Sequence, residues 1–184
     1  MFKNSIKELT NTKTIAILAI LIALQVFISN FFIPVSDGLR IYVTFFILAL
    51  AGLISGPTTA LIYGFIVDIL SFIIHPSGPF FFGYTLTTMV GCFIYASFFY
   101  QQKITVLKII LAKTLVNVIC NIGLNSLWNY MLFDKAFIYF FTKSLIKNII
   151  LLPIEILFLY MFFKLMLKTL NSMGYTKQNN IPKF

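Results

Sequence analysis

Long apolar stretches fill this chain, broken by short polar or Pro/Gly-containing interruptions near 34–40, 55–58, 75–82, 100–105 and 133–136. The stretches are too long and too uniformly apolar for transmembrane strands, which alternate over about ten residues, so helices are the spanning elements the pattern allows. It predicts six, over 12–33, 41–55, 58–74, 83–100, 105–132 and 136–170, followed by a tail at 171–184. Asn11 or Thr12 caps the first, Pro34 stops it, and Gly56–Pro57 makes a tight turn after the second. The second helix is short for a span, so it must tilt or be partly covered by protein, as around transporter cavities. Pro153 falls inside the sixth and is expected to kink it. The fold class read from this pattern is an all-α integral membrane protein: one transmembrane domain, 1–184, a compact bundle of six transmembrane helices with an outward-facing ligand pocket.

Composition agrees. The 184 residues are 60% hydrophobic and 10% charged, against about 25% charged in a soluble domain. The net charge of +9 does not point to nucleic acid, because the lysines are scattered at helix ends instead of forming one cluster. Lys3, Lys7 and Lys13, then Lys103 and Lys108, then Lys164, Lys168, Lys177 and Lys183 fall on one side of an even-numbered bundle. The positive-inside rule puts that side, with both termini, in the cytoplasm. The first apolar run is longer than a signal-peptide core and reads as a retained span. Cys92 and Cys120 sit within apolar segments and the single His75 has no companion, so no metal site is expected and no cofactor is implied. The chain carries no HExxH or GxSxG motif and five acids in all, which argues against an enzyme.

The informative positions are polar side chains where only hydrocarbon should be. Asn117, Asn121 and Asn125 repeat every four residues and stack along one helix face; Lys143 and Lys147 do the same on the next helix, beside Asn148. A rise of about 1.5 Å per residue puts Lys143 roughly 10 Å deep and Lys147 roughly 16 Å deep, level with Asn125 and Asn121. Ionisable groups inside a membrane usually mark a substrate path, so a binding cavity between these helices is expected. The alternative is that the lysines snorkel and the asparagines bridge helices. Asp68 lies at a similar depth, either neutralised by Lys143, Lys147 or Arg40 in a structural ion pair or in contact with a ligand. Glu155 pairs with Lys113 on one reading. Residues 75–84, with three consecutive phenylalanines including Phe82, read as an apolar lid folded over the helix ends, or as an aromatic belt at the lipid interface. Tyr84, Thr85 and Thr88 face whatever lies beneath. On the first helix Ala16, Ala19 and Ala23 keep one face smooth enough for another helix to approach closely in lipid, whether within the bundle or from a partner.

Leu39–Val43 (LRIYV), Ala51–Pro57 (AGLISGP), Asp68, the phenylalanine lid, Leu124–Trp128 (LNSLW) and Leu145–Asn148 followed by Leu152–Ile154 come in an order and spacing that resembles the substrate-binding S components of energy-coupling factor (ECF) vitamin transporters, above all the folate-specific type. The likeness covers about Thr12 to Lys168. It implies a bacterial plasma-membrane protein that captures a vitamin from outside and docks, through Ala16, Ala19 and Ala23, on one transmembrane coupling subunit and two ATPase subunits. ATP hydrolysis would belong to those partners. The residue chemistry fits folate: Trp128, Tyr84, Asn121, Asn125 and Asp68 suit a flat pterin, while Arg40, Lys135 and Lys143 suit the two carboxylates of a glutamate tail. Two other readings stay open, an S component for another vitamin such as riboflavin and a membrane assembly subunit that binds no small molecule.

Overall fold

A computed structural model describes residues 2–36, 39–76, 80–133 and 136–172, with the backbone alone at 32–42 and 170–172. The elements in order are α1 (Phe2–Glu8), α2 (Thr12–Ser29), β1 (Phe32–Ser36), β2 (Leu39–Tyr42), α3 (Phe45–Ile74), α4 (Phe82–Phe99), α5 (Val106–Val116), a π-helical segment (Asn117–Leu124), α6 (Asn125–Leu132) and α7 (Phe137–Ser172). Five helical stretches are long and apolar enough to cross a membrane, with α5, the π segment and α6 forming one of them. A sixth rod arises because α3 is two helices joined at Gly56, whose φ of 74° only glycine adopts cheaply. The chain is thus an all-α bundle of six rods with a small hairpin added. Ile20, Phe27, Ile73, Leu107, Ile138 and Leu165 point outward, as lipid-facing side chains should.

The expected loop at 34–40 is replaced by an antiparallel hairpin, in which Ile33 pairs with Ile41 and Pro34 with Arg40, bulged between Pro34 and Ser36. Accordingly α2 stops at Ser29 instead of running to 33, and the helix expected from 41 starts at Phe45. The reason lies in depth. Gly52 packs on the backbone of Ala96, and Cys92 Sγ lies 3.7 Å from the Leu48 carbonyl, so the first turn of α3 sits level with the middle of α4. The first half of α3, up to Gly56, is shorter than the roughly 20 residues a bilayer needs, and the hairpin precedes its start. Strand backbone at that depth is tolerated where protein covers it or where it lines a cavity.

α4 lies in the angle of the broken α3, close against both halves: a Cβ on Gly52 would come within 2.8 Å of Ala96 N, and one on Gly64 within 2.8 Å of Met89 Cα. The break exposes helix-end groups that need partners. α1, which apolar patterning did not predict, supplies them. Ser5 Oγ accepts from the amides of Thr58 (3.0 Å) and Thr59 (3.1 Å) and donates to the Ser55 carbonyl (2.9 Å), while Thr59 Oγ1 donates to Ser5 O (2.6 Å). Glu8 ties α1 to the same end of the bundle by accepting from Tyr100 and Thr14 hydroxyls. α7 is continuous through Pro153, which lies inside it.

Candidate functional site

The end of the bundle opposite α1 carries the polar residues singled out above. Asp68, in the second half of α3, accepts from Thr85 Oγ1 (2.7 Å) and Thr88 Oγ1 (3.0 Å) of α4. Its described partners are these hydroxyls and not the lysines the sequence suggested. Tyr84, one turn nearer the end of α4, donates to Asn129 Oδ1 (3.0 Å) on α6. Trp128 Nε1 donates to Thr87 Oγ1 (2.8 Å), and its ring lies against Phe81, centroids 5.6 Å apart. Phe81 also meets Tyr84 edge-on at 6.0 Å. A Cβ on Gly83 would fall 2.4 Å from Phe81 and 2.6 Å from Trp128, so this aromatic corner closes only over a glycine. Phe82 points away, 57% exposed; of the phenylalanine run it is Phe81 that packs at the site.

Asn121 donates to Asn117 Oδ1 (2.8 Å), Asn125 continues the stripe half-buried, and Ser144 Oγ of α7 donates to the Asn121 carbonyl (2.7 Å). Ser144 thus joins α7 to the backbone of the asparagine stripe. Lys143 bonds the Tyr139 hydroxyl, its ammonium 4.2 Å from that ring's centre. Lys147 is half-buried one turn further in, within electrostatic reach of Glu155 and Lys113. Asn148 is buried and turned back on its own helix, donating to the carbonyl (2.8 Å) and hydroxyl (3.2 Å) of Ser144, which orients that hydroxyl toward Asn121. Lys113 and Glu155 form an ion pair (3.1 Å) with the lysine 1% exposed. Arg40 lies on β2 opposite Pro34, its side chain outside the described residues, as are Asp37 and Lys135.

On the other flank Ala16, Ala19 and Ala23 are exposed on α2. Ala19 and Ala23 line an apolar groove of about 560 Å³ with Val26, Phe27, Leu70 and Ile74. The groove reaches the far ends of α2 and α3, with Asn30 and Ile74 in its lining.

Thr87, Asn129, Tyr139 and Ser144 of this arrangement were missed in the sequence, and Phe81 was read only as part of the phenylalanine run. Only Asn129 had left a signal, since it is the next member of the four-residue repeat.

Comparison with known proteins bears on this geometry directly. Residues 13–163 match the family described as "ECF transporter, substrate-specific component". This chain belongs to that family. Its members are substrate-binding transport subunits, not enzymes. Among curated relatives, the folate transporter FolT of Clostridium novyi (strain NT) is 33% identical over 148 residues, covering 80% of this chain and 86% of that protein. FolT of Leuconostoc mesenteroides subsp. mesenteroides is 32% identical over 152 residues, covering 79% and 82%. A crystal structure of FolT bound with folic acid superposes with a TM-score of 0.76 at 34% identity, over 81% of this chain and 91% of that one. The S component described here therefore shares its fold with a protein solved with that ligand.

Proposed function

We propose that this S component captures folate at the hairpin end of the bundle and delivers it through a coupling module of one transmembrane subunit and two ATPases. The carrying observation is the likeness to FolT bound with folic acid, which extends over most of both chains. The chemistry of the hairpin end supports it. Trp128 and Phe81 offer aromatic faces to a pterin ring, Asp68, Asn121, Asn125 and Tyr84 offer fixed donors and acceptors at its edge, and Lys143 with Arg40 would receive the carboxylates of the tail. Lys147 and Asn148 lie behind these groups and hold them. In this reading both termini are cytoplasmic: Lys3, Lys7, Lys103 and Lys108 gather at the α1 end, where the positive-inside rule wants them. Single cysteines in the hairpin should then label from outside intact cells and cysteines in α1 should not.

The deciding experiment is purification in detergent with identification of any compound that accompanies the protein, followed by titration of the emptied protein with folic acid. Trp128, the one tryptophan in the sequence, reports binding. Saturable quenching by folic acid, with riboflavin inactive, is the expected result; a protein that responds to riboflavin and not to folic acid would overturn the assignment.

A further inference from the structure

The polar stripe is longer than a pocket needs. Lys113, Asn117, Asn121, Asn125 and Asn129 recur every four residues, from the interior of α5 to the Tyr84 contact on α6. In an unbroken α-helix a four-residue repeat drifts about 40° per step, so five members would wind nearly halfway round the rod and into lipid. None of the five is exposed. The π segment explains this, because its wider i→i+5 turns make each four-residue step drift the opposite way, and the two drifts offset.

What holds the π register is visible as a chain of bonds. Lys113 pairs with Glu155 Oε2 on α7 at 3.1 Å, and the same oxygen accepts from Asn117 Nδ2 at 3.2 Å. Asn117 accepts from Asn121, and the Asn121 carbonyl, in the middle of the π segment, accepts from Ser144 of α7. The segment is thus fastened to α7 at its start and at its middle. The ion pair is not required for spanning, since well-packed apolar residues often replace a buried pair without loss of stability. Charges retained in a membrane interior usually serve function.

We propose that the Lys113–Glu155 pair is a positioning element for the vitamin pocket: it anchors the stripe to α7, sets the π register, and thereby fixes the direction in which Trp128 faces. Reverting the π segment to α geometry would remove one residue's worth of insertion and rotate α6 by about 100°, carrying Trp128 away from Thr87 and Phe81. The inference rests on the folate reading for its ligand and on the geometry alone for its register.

Two variants test it. Lys113→Met/Glu155→Leu replaces the pair with apolar groups, and Asn117→Leu keeps the pair but cuts its link to Asn121. Folic acid titration, quenching of Trp128 by acrylamide in ligand-free protein, and thermal melting are measured for each. Both variants should bind about tenfold more weakly, or worse, and expose Trp128 to the quencher, while melting close to the unaltered protein. Lys113→Arg, which keeps the charge, should restore both readouts. Unaltered affinity, or weakened affinity with Trp128 as shielded as before, would overturn the proposal. Should the double variant fail to insert, Asn117→Leu decides alone. Should even the unaltered protein ignore folic acid, the folate reading falls and the quenching comparison still judges the register.

Discussion

Lys147 is the residue whose place most depends on its surroundings. It projects from α7 one turn beyond Lys143, half-buried, close enough to Glu155 and Lys113 to share their electrostatics. A charge at that depth must be matched by protein or ligand, and the same helix turns carry Ser144 and Asn148, bonded respectively to Asn121 and to Ser144. Lys147→Met should therefore weaken folic acid binding by more than about 1.4 kcal/mol, a tenfold change, and still insert normally. Equal affinities in a Trp128 titration would assign the lysine to the fold alone. At this scale the sequence was informative where periodicity applied. Asn121 bonds Asn117 four residues away, and the Lys113–Glu155 pair is formed. It was uninformative where three like residues adjoin, because choosing Phe81 over Phe82 depends on where α4 begins to turn, and nothing in a run of phenylalanines marks that. Asp68 was legible as a polar group within an apolar helix, but threonine hydroxyls bond it instead of the lysines, since α3 packs far more extensively on α4 than on α7.

Among the elements, the broken α3 and the hairpin were the hardest to foresee. The Gly56–Pro57 break was plain, yet its partner was not, because seven mixed residues at Phe2–Glu8 carry no spanning signal and gain their meaning only against the freed ends of α3. Ser5 Oγ occupies the position of an N-cap supplied from another helix. Ser5→Ala should therefore cost about 1–2 kcal/mol of stability, read as a lower melting temperature in detergent, with Ser5→Thr intermediate. Unchanged melting would mean that water replaces the hydroxyl. The hairpin replaced an expected loop because the chain between α2 and α3 must descend to mid-depth with its backbone bonds satisfied, a requirement of depth that local propensity does not express. It also places Arg40 on a strand, opposite Pro34, and the folate reading assigns it to the tail. Arg40→Ala should weaken compounds that carry the glutamate tail more than a bare pterin; equal losses for both would remove Arg40 from the carboxylate site.

For the whole molecule, the groove beside Ala19 and Ala23 and the polar site lie on different flanks, so the proposed docking and capture can be tested separately. Ala19→Trp or Ala23→Trp should abolish co-purification with the coupling subunit and leave folic acid binding unchanged. Loss of both together would mean that the alanines pack the bundle itself, against their exposure on α2. The separation is blurred at one place, where Leu70 and Ile74 extend the groove along the second half of α3, the half that also carries Asp68. The contact of Ser5 with Thr58 reaches back across 53 residues, and this has a consequence for synthesis. Ser5 leaves the ribosome long before the break it serves, so the hydroxyl is already waiting at the membrane surface when Gly56 and Thr58 enter the bilayer. Deleting residues 2–8 should then lower the yield of inserted protein, whereas cutting the folded chain at a protease site placed after Thr10 should leave the bundle assembled. Equal yields with and without residues 2–8 would show that α3 completes its own turn, and that α1 arrives only as a late fastening.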